Sequence, residues 1–256
     1  MLFGPRLAPP RALMPVPFAL VVFAGLIVAC AFARAQSSDA QDCLSPGRPD
    51  AIIAACSRLI ESRQSSAAEL ARAYLHRGAA ERNKGQLDAA LRDEDAALRL
   101  DPKSIDAHMV RGTVYGIKKD FTAAIRDFDA VLQIEPNHLE AHANRGAAYA
   151  QNHEIEAALR DFDAVVLLDP QSSAAFYQRG MAYRLAGRHD RACRDFATAV
   201  QLAADNPLAL TDLATCYLDG LGLEKDPKRA AELLSKAAQK GFPPAQQMLT
   251  RLNQGK

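Results

Sequence analysis

Ala141-His142-Ala143-Asn144-Arg145-Gly146-Ala147-Ala148-Tyr149, continued by Ala157-Ala158-Leu159-Arg160-Asp161-Phe162, is the stretch on which the reading of this chain turns. Its landmarks recur at a fixed interval. Arg77-Gly78, Arg111-Gly112, Arg145-Gly146 and Arg179-Gly180 each stand 34 positions after the last, and Asp101-Pro102, Glu135-Pro136 and Asp169-Pro170 keep the same period. Such a period marks an array in which one helix-turn-helix unit cannot bury its apolar face without its neighbours.

Each landmark has a mechanical reason. Gly78, Gly112, Gly146 and Gly180 let the first helix of a pair approach the second, where Ala90, Ala124, Ala158 and Ala192 are the small partners. Phe128, Phe162 and Phe196 fill the space toward the next unit, and Tyr115, Tyr149 and Tyr183 pack from the first helix. Pro102, Pro136 and Pro170 close each pair, since proline lacks the donor that a continuing helix needs. Ile125, Phe128, Leu132 and Ile134 match Leu159, Phe162, Val166 and Leu168 at helical spacing. The first unit departs from this pattern. Glu94 stands where the others carry Phe, so its face is expected to be wet or loosely covered by the preceding segment.

These units, beginning near Ala71, Ile105, Leu139 and Ser173, resemble tetratricopeptide repeats. After Pro207 the register changes. Leu213-Ala214-Thr215-Cys216-Tyr217-Leu218-Asp219-Gly220-Leu221-Gly222, then Lys225-Asp226-Pro227-Lys228-Arg229-Ala230-Ala231 and Lys236-Ala237-Ala238-Gln239-Lys240-Gly241, resemble a Sel1-like repeat. The resemblance implies an all-α, right-handed superhelical solenoid of helical hairpins. Four tetratricopeptide units occupy 67–206, and a Sel1-like repeat with a capping helix occupies 207–256. Residues 36–66 read as an N-terminal cap.

Residues 1–35 read as an export signal. Arg6 and Arg11 precede an apolar stretch from Val16 to Phe32, and Ala33-Arg34-Ala35 offers small residues at the cleavage positions, so the mature chain is expected to begin at Gln36. A lipobox-like Ile27-Val28-Ala29-Cys30 leaves lipidation at Cys30 as the alternative. An uncleaved anchor is a third reading, for which the interrupted apolar stretch is short of the roughly 20 residues that span a bilayer. The expected location is periplasmic or secreted, with no membrane span after cleavage. Removing Arg6, Arg11 and Arg34 from 31 basic residues leaves 28 against 30 acidic ones. A nearly neutral surface argues against nucleic acid as the partner.

In an oxidising compartment, Cys43 and Cys56 bracket a short loop and form the expected disulfide. Cys193 occupies the slot of Leu91, Ile125 and Leu159 and reads as a small buried hydrophobe; a bridge to Cys216 on the following helix stays open. His138, His142 and His108 have spacings compatible with metal ligation, but His108 and His142 share a slot with Tyr74 and Phe176, which a packing ring explains. No phosphate loop, HExxH or GxSxG sequence is present, so neither cofactor, metal nor catalysis is expected. Arg126-Asp127 with Asp129, and Arg160-Asp161 with Asp163, read as a charged outer face whose carboxylates Arg111 and Arg145 can reach.

Positions that vary between units are the natural recognition surface. By the resemblance, the concave face carries Leu75, Ala79, Arg82 and Asn83; Met109, Thr113 and Ile117; Asn144, Ala147 and Gln151; and Tyr177, Met181, Arg184 and Leu185. Only Asn144 matches the Lys, Arg and Asn clamp that captures chain-terminal carboxylates. The implied function is a non-catalytic scaffold of the bacterial cell envelope, binding a protein or peptide in this groove. The alternative is a self-assembling or spacer array without a dedicated ligand, and an enzyme comes third.

Overall fold

The computed structural model describes residues 39–62 and 65–254, and among them every regular element is helical. After a helical turn at 39–44, α1 (Pro49–Glu61) packs on α2 (Ala67–Asn83), and α2 pairs with α3 (Leu87–Leu100). Three more hairpins follow: α4 (Ile105–Ile117) with α5 (Phe121–Ile134), α6 (Leu139–Gln151) with α7 (Ile155–Leu168), and α8 (Ser173–Leu185) with α9 (His189–Leu202). Then come α10 (Pro207–Asp219), α11 (Pro227–Gln239) and α12 (Pro243–Asn253). Consecutive helices make the extensive contacts; successive first helices, such as α2 with α4 and α4 with α6, touch more lightly. This is a helical-hairpin solenoid. Both the proposed cleavage site after Ala35 and Cys30 lie outside the described residues.

Helix starts obey the same period. Ser104, His138, Ser172 and Asn206 each accept a backbone N–H in the first turn of α4, α6, α8 and α10. Satisfying an otherwise orphaned donor there stabilises each helix by about 1 kcal/mol. Ser66 goes further, forming a reciprocal capping box with Glu69 at α2.

The repeated glycines are crossing points. A β-carbon on Gly112 would lie 2.8 Å from the Phe128 ring, on Gly146 3.0 Å from Phe162, and on Gly180 2.8 Å from Phe196. In the first unit the atom beneath Gly78 is Glu94 Oε1. Glu94 is fully buried, and neither carboxylate oxygen has a hydrogen-bond partner among the described residues. The expectation of a wet or loosely covered face is therefore overturned: the acid is sealed in, packed beneath Gly78 of α2. Burial raises its pKa to about 9, with Asp93 adding to the shift, so Glu94 is neutral at pH 7.

The charged positions also differ from the expected outer face. Asp127 and Asp161 are each only 3% exposed. Arg111 forks onto Asp127 at 2.9 and 2.7 Å and reaches back to Asp95 of the previous unit at 2.7 Å. Arg145 grips Asp161 and Asp129, and Arg179 grips Asp195 and Asp163, in the same way. At the array's start Arg77 holds Asp93 and donates to Ser57 on α1, which shows the cap occupying a unit's place. Burial would raise Asp127's pKa, but hydrogen bonds from His108 and Arg111 hold it below the usual carboxylate value. His108 and His142 are more than packing rings: Nδ1 of each faces Asp127 or Asp161 at 2.9 Å, and Nε2 faces a backbone carbonyl.

Two disulfides fasten the two ends. Cys43–Cys56 joins the cap segment as expected. Cys193–Cys216 is also bridged, with α9 and α10 bringing the α-carbons to 6.0 Å, so Cys193 is a staple and not merely a small hydrophobe. The largest apolar core surrounds it, running from Ala158 to Ala245.

Candidate functional site: the concave groove

The first helices of successive hairpins line one face, and the sequence-derived positions fall into two groups on it. Leu75, Ala79, Arg82, Met109, Thr113 and Asn144 border a cavity of about 390 Å³ across α2, α4 and α6, together with His76, Asp106, Val110, His138 and Glu140. Thr113, Ile117, Asn144, Ala147 and Gln151 border a second cavity of about 300 Å³ with Gly112, Gly116, Phe121, Phe128 and Ala148. Thr113 and Asn144 belong to both, so the two form one continuous groove.

Chemically the halves differ. The second cavity is an apolar recess floored by Phe128 and walled by Phe121 and by Ile117, which is 54% exposed. The first is bordered by Asp106 and Glu140 in the first turns of α4 and α6 and by Arg82 near the end of α2, and among the described residues none of them has an ion-pair partner. Burial, helped by the Arg72 charge, lowers the pKa of His76 against the opposing pull of Asp106, so its ring is neutral at pH 7. His138 is committed to the cap of α6, its Nδ1 accepting from the Ala141 amide at 3.2 Å. The side chain of Thr113 donates to Met109 O within its own helix. The carboxamides of Asn144 and Gln151 have no hydrogen-bond partner among the described residues, which leaves them free for a ligand's main chain.

Tyr177, Met181 and Arg184 have a different fate. The Tyr177 hydroxyl donates to Asp212 Oδ2 at 2.8 Å, and Arg184 donates to Asp212 Oδ1 at 2.5 Å and to Met181 Sδ at 2.9 Å. Burial and the Asp212 hydrogen bond raise the Tyr177 pKa, so it stays a donor. Tyr177 also stacks at a tilt on Phe196, with centroids 5.7 Å apart. Tyr177 and Arg184 tie the array to α10, with Met181 held beneath Arg184, and none of the three borders the two cavities of the groove; Leu185 is the most exposed of that set, at 60%. The open groove is therefore the α2–α4–α6 portion.

Several lining residues were not singled out in the sequence. Val110 and His76 stand one and two periods before Asn144, so the 34-residue register carried that signal. Gly116 gave none, because in sequence it resembles any other helical glycine.

Among the described residues, no cluster of side chains capable of holding a metal ion is present. No helix there is long and apolar enough to cross a membrane.

The fold and groove define a helical-repeat solenoid with a ligand-sized concave face. Comparison with protein families specifies it further: a tetratricopeptide repeat model matches residues 117–178, a second matches 173–206, and the Sel1 repeat matches 207–242. The chain thus carries tetratricopeptide repeats followed by a C-terminal Sel1 repeat, and these mark it as a protein–protein interaction scaffold. None of the matching models describes an enzyme.

Three similar solved structures share the fold. YrrB, described as a TPR protein with an unusual peptide-binding site, is 22% identical, covering 78% of this chain and 97% of its own, with a TM-score of 0.60. MamA (41-end) from Desulfovibrio magneticus RS-1 is 22% identical, covering 67% and 95%, with a TM-score of 0.61. PilF of Pseudomonas aeruginosa is 19% identical, covering 68% and 78%, with a TM-score of 0.60. No curated protein sequence matches the chain.

Proposed function

We propose that this protein is a non-catalytic scaffold of the bacterial cell envelope that holds an extended peptide or partner helix in the α2–α4–α6 groove. The observation that carries this reading is the continuous groove centred on Asn144, whose carboxamide is unpartnered and borders both of its cavities. The unusual peptide-binding site of YrrB supports a groove ligand on this fold. Export is supported by the basic and apolar start of the chain and by two disulfides, which persist in oxidising compartments. Residues 1–35 as a cleaved signal, 36–66 as cap, 67–206 as tetratricopeptide array and 207–256 as Sel1-like end form the proposed organisation.

The test is crosslinking in intact cells with parent and Asn144→Ala proteins. Loss of a specific crosslinked protein in the variant, at equal abundance and helical content, is the expected result. An unchanged set of crosslinked proteins overturns the groove as the binding face.

A further inference from the structure

We infer that the recess beside Gly116 is the anchor pocket of the groove, and that its occupant is an extended peptide with one bulky apolar side chain and a basic residue about four positions away. This rests on the groove reading and specifies its ligand.

Gly116 lies within α4 and has no packing reason to be glycine. A β-carbon there would meet nothing within 4 Å, whereas one on Gly112, a helical turn earlier, would collide with Phe128. Glycine inside a helix is unfavourable relative to alanine, so an unexplained one requires a different account. The same register position holds Arg82, Ala150 and Arg184 in the other units. Across the groove Ala147 stands where α8 has Met181. With both positions trimmed, the apolar recess of about 300 Å³ opens to solvent. One repeat further along, the equivalent place is occupied by Met181, held under Arg184, and the Tyr177–Asp212 contact closes the way beyond. The groove therefore offers one large side chain a seat at this point.

Charge selects the neighbour of that anchor. Beyond Asn144 the groove presents Asp106 and Glu140 together at the N-terminal ends of α4 and α6, with neutral His76 and the Arg72 charge beside them on α2 and Arg82 at that helix's far end, so the acid pair offers the groove's seat for a cation. The recess and the acids share α4 and α6. Asp106 stands ten positions before Gly116, about 15 Å along a helix that rises about 1.5 Å per residue, and an extended peptide advancing about 3.3 Å per residue covers that with about four residues between anchor and cation. The free Asn144 carboxamide stands between them for the peptide main chain.

The experiment measures fluorescence polarisation of full exported protein with nine-residue, end-blocked peptides in a Gly/Ser background. Their central residue is Leu, Phe, Ala or Glu, and the fourth residue on one or the other side is Lys, Ser or Glu. Peptides pairing Leu or Phe with Lys are expected to bind at least tenfold tighter than those with central Ala or flanking Glu. Gly116→Leu fills the recess and should lose at least tenfold in affinity while melting at or above the parent temperature. Asp106→Asn with Glu140→Gln should erase the Lys preference and keep the Leu preference.

Indifference to the central residue, a preference for flanking Glu, or parent affinity in folded Gly116→Leu overturns the inference. If binding instead responds only to Asn144→Ala, the anchor assignment falls and the groove reading stands. Failure of the whole panel, or concentration-dependent self-association abolished by Gly116→Leu, rejects this occupant; cell crosslinking with Asn144→Ala then judges the groove reading separately.

Discussion

Glu94 Oε1 lies directly beneath Gly78, in the place that the rings of Phe128, Phe162 and Phe196 take beneath Gly112, Gly146 and Gly180. A carboxylic acid has replaced the repeat's aromatic plug. Because Glu94 is buried without hydrogen bonds, it stays in the fold only as the neutral acid.

The replacement sets a pH dependence. The folded pKa of about 9 exceeds the ordinary value of 4.5, so across that window the folded chain holds a proton that the unfolded chain has lost. Stability contributed by this group is full below pH 4.5 and falls as pH rises toward 9. At pH 7 the difference corresponds to about 3 kcal/mol. Glu94→Gln should therefore match the parent at pH 4 and be clearly more stable at pH 8, and Glu94→Phe should be more stable still. Denaturant titrations at the two pH values check this; a difference independent of pH would show that the acid is solvated.

The arginine ladder should behave as a buried network. Asp161 receives two hydrogen bonds from Arg145 and faces His142, so Asp161→Ala leaves the half-buried guanidinium only its bond to the exposed Asp129 and should cost roughly 3 kcal/mol. Asp163→Ala removes only the exposed end of a rung and should cost under about 1 kcal/mol. Asp127 adds an acid limb. Its pKa is lowered, so its stabilisation is present above the ordinary carboxylate value and disappears as pH falls through the folded pKa. Acid unfolding followed by circular dichroism should be blunted in Asp127→Asn.

The hairpins, their glycine crossings and their boundaries were legible because a 34-residue period repeats every mechanical constraint. The same uniformity misled the reading of Asp127 and Asp161. Charges that recur unchanged look like a solvated surface, yet each Arg stands 16 residues from the Asp it grips, a spacing that connects two helices of one hairpin. Asp212 was invisible for the opposite reason. It belongs to α10, where the register has changed, so nothing in the periodic pattern linked it to Tyr177 or Arg184. The Cys193–Cys216 bridge crosses that same break. Open space beside Gly116 is a property of what surrounding residues lack, and only coordinates reveal it.

Turn positions offer a gain of stability. Gly85, Lys119, His153 and Gly187 occupy one register position after the first helices, and all four have φ between 63° and 75°. Lys119 and His153 bear a steric penalty there that glycine avoids. Lys119→Gly and His153→Gly should each stabilise the protein by up to about 1 kcal/mol, measured by denaturant midpoint. Alanine at either position should give no gain, since it keeps the β-carbon.

The joint between array and Sel1 repeat separates structural from recognition residues. Tyr177 and Arg184 vary between units, as ligand-reading positions do, but both donate to Asp212. Tyr177→Phe keeps the ring against Phe196 and removes only the hydroxyl hydrogen bond, a change worth about 1 kcal/mol at a partly buried site. Stability in an array is local, so the loss should appear as faster amide exchange in α10 and α11, with α2 and α4 unaffected. Reducing the Cys193–Cys216 bridge should loosen the same helices and add to the effect. Asn144→Ala should do the converse, weakening partner capture with exchange in α10 unchanged, because its carboxamide holds nothing among the described residues. If Tyr177→Phe abolishes capture while α10 exchanges at the parent rate, Tyr177 touches the ligand directly, and the open groove extends to α8.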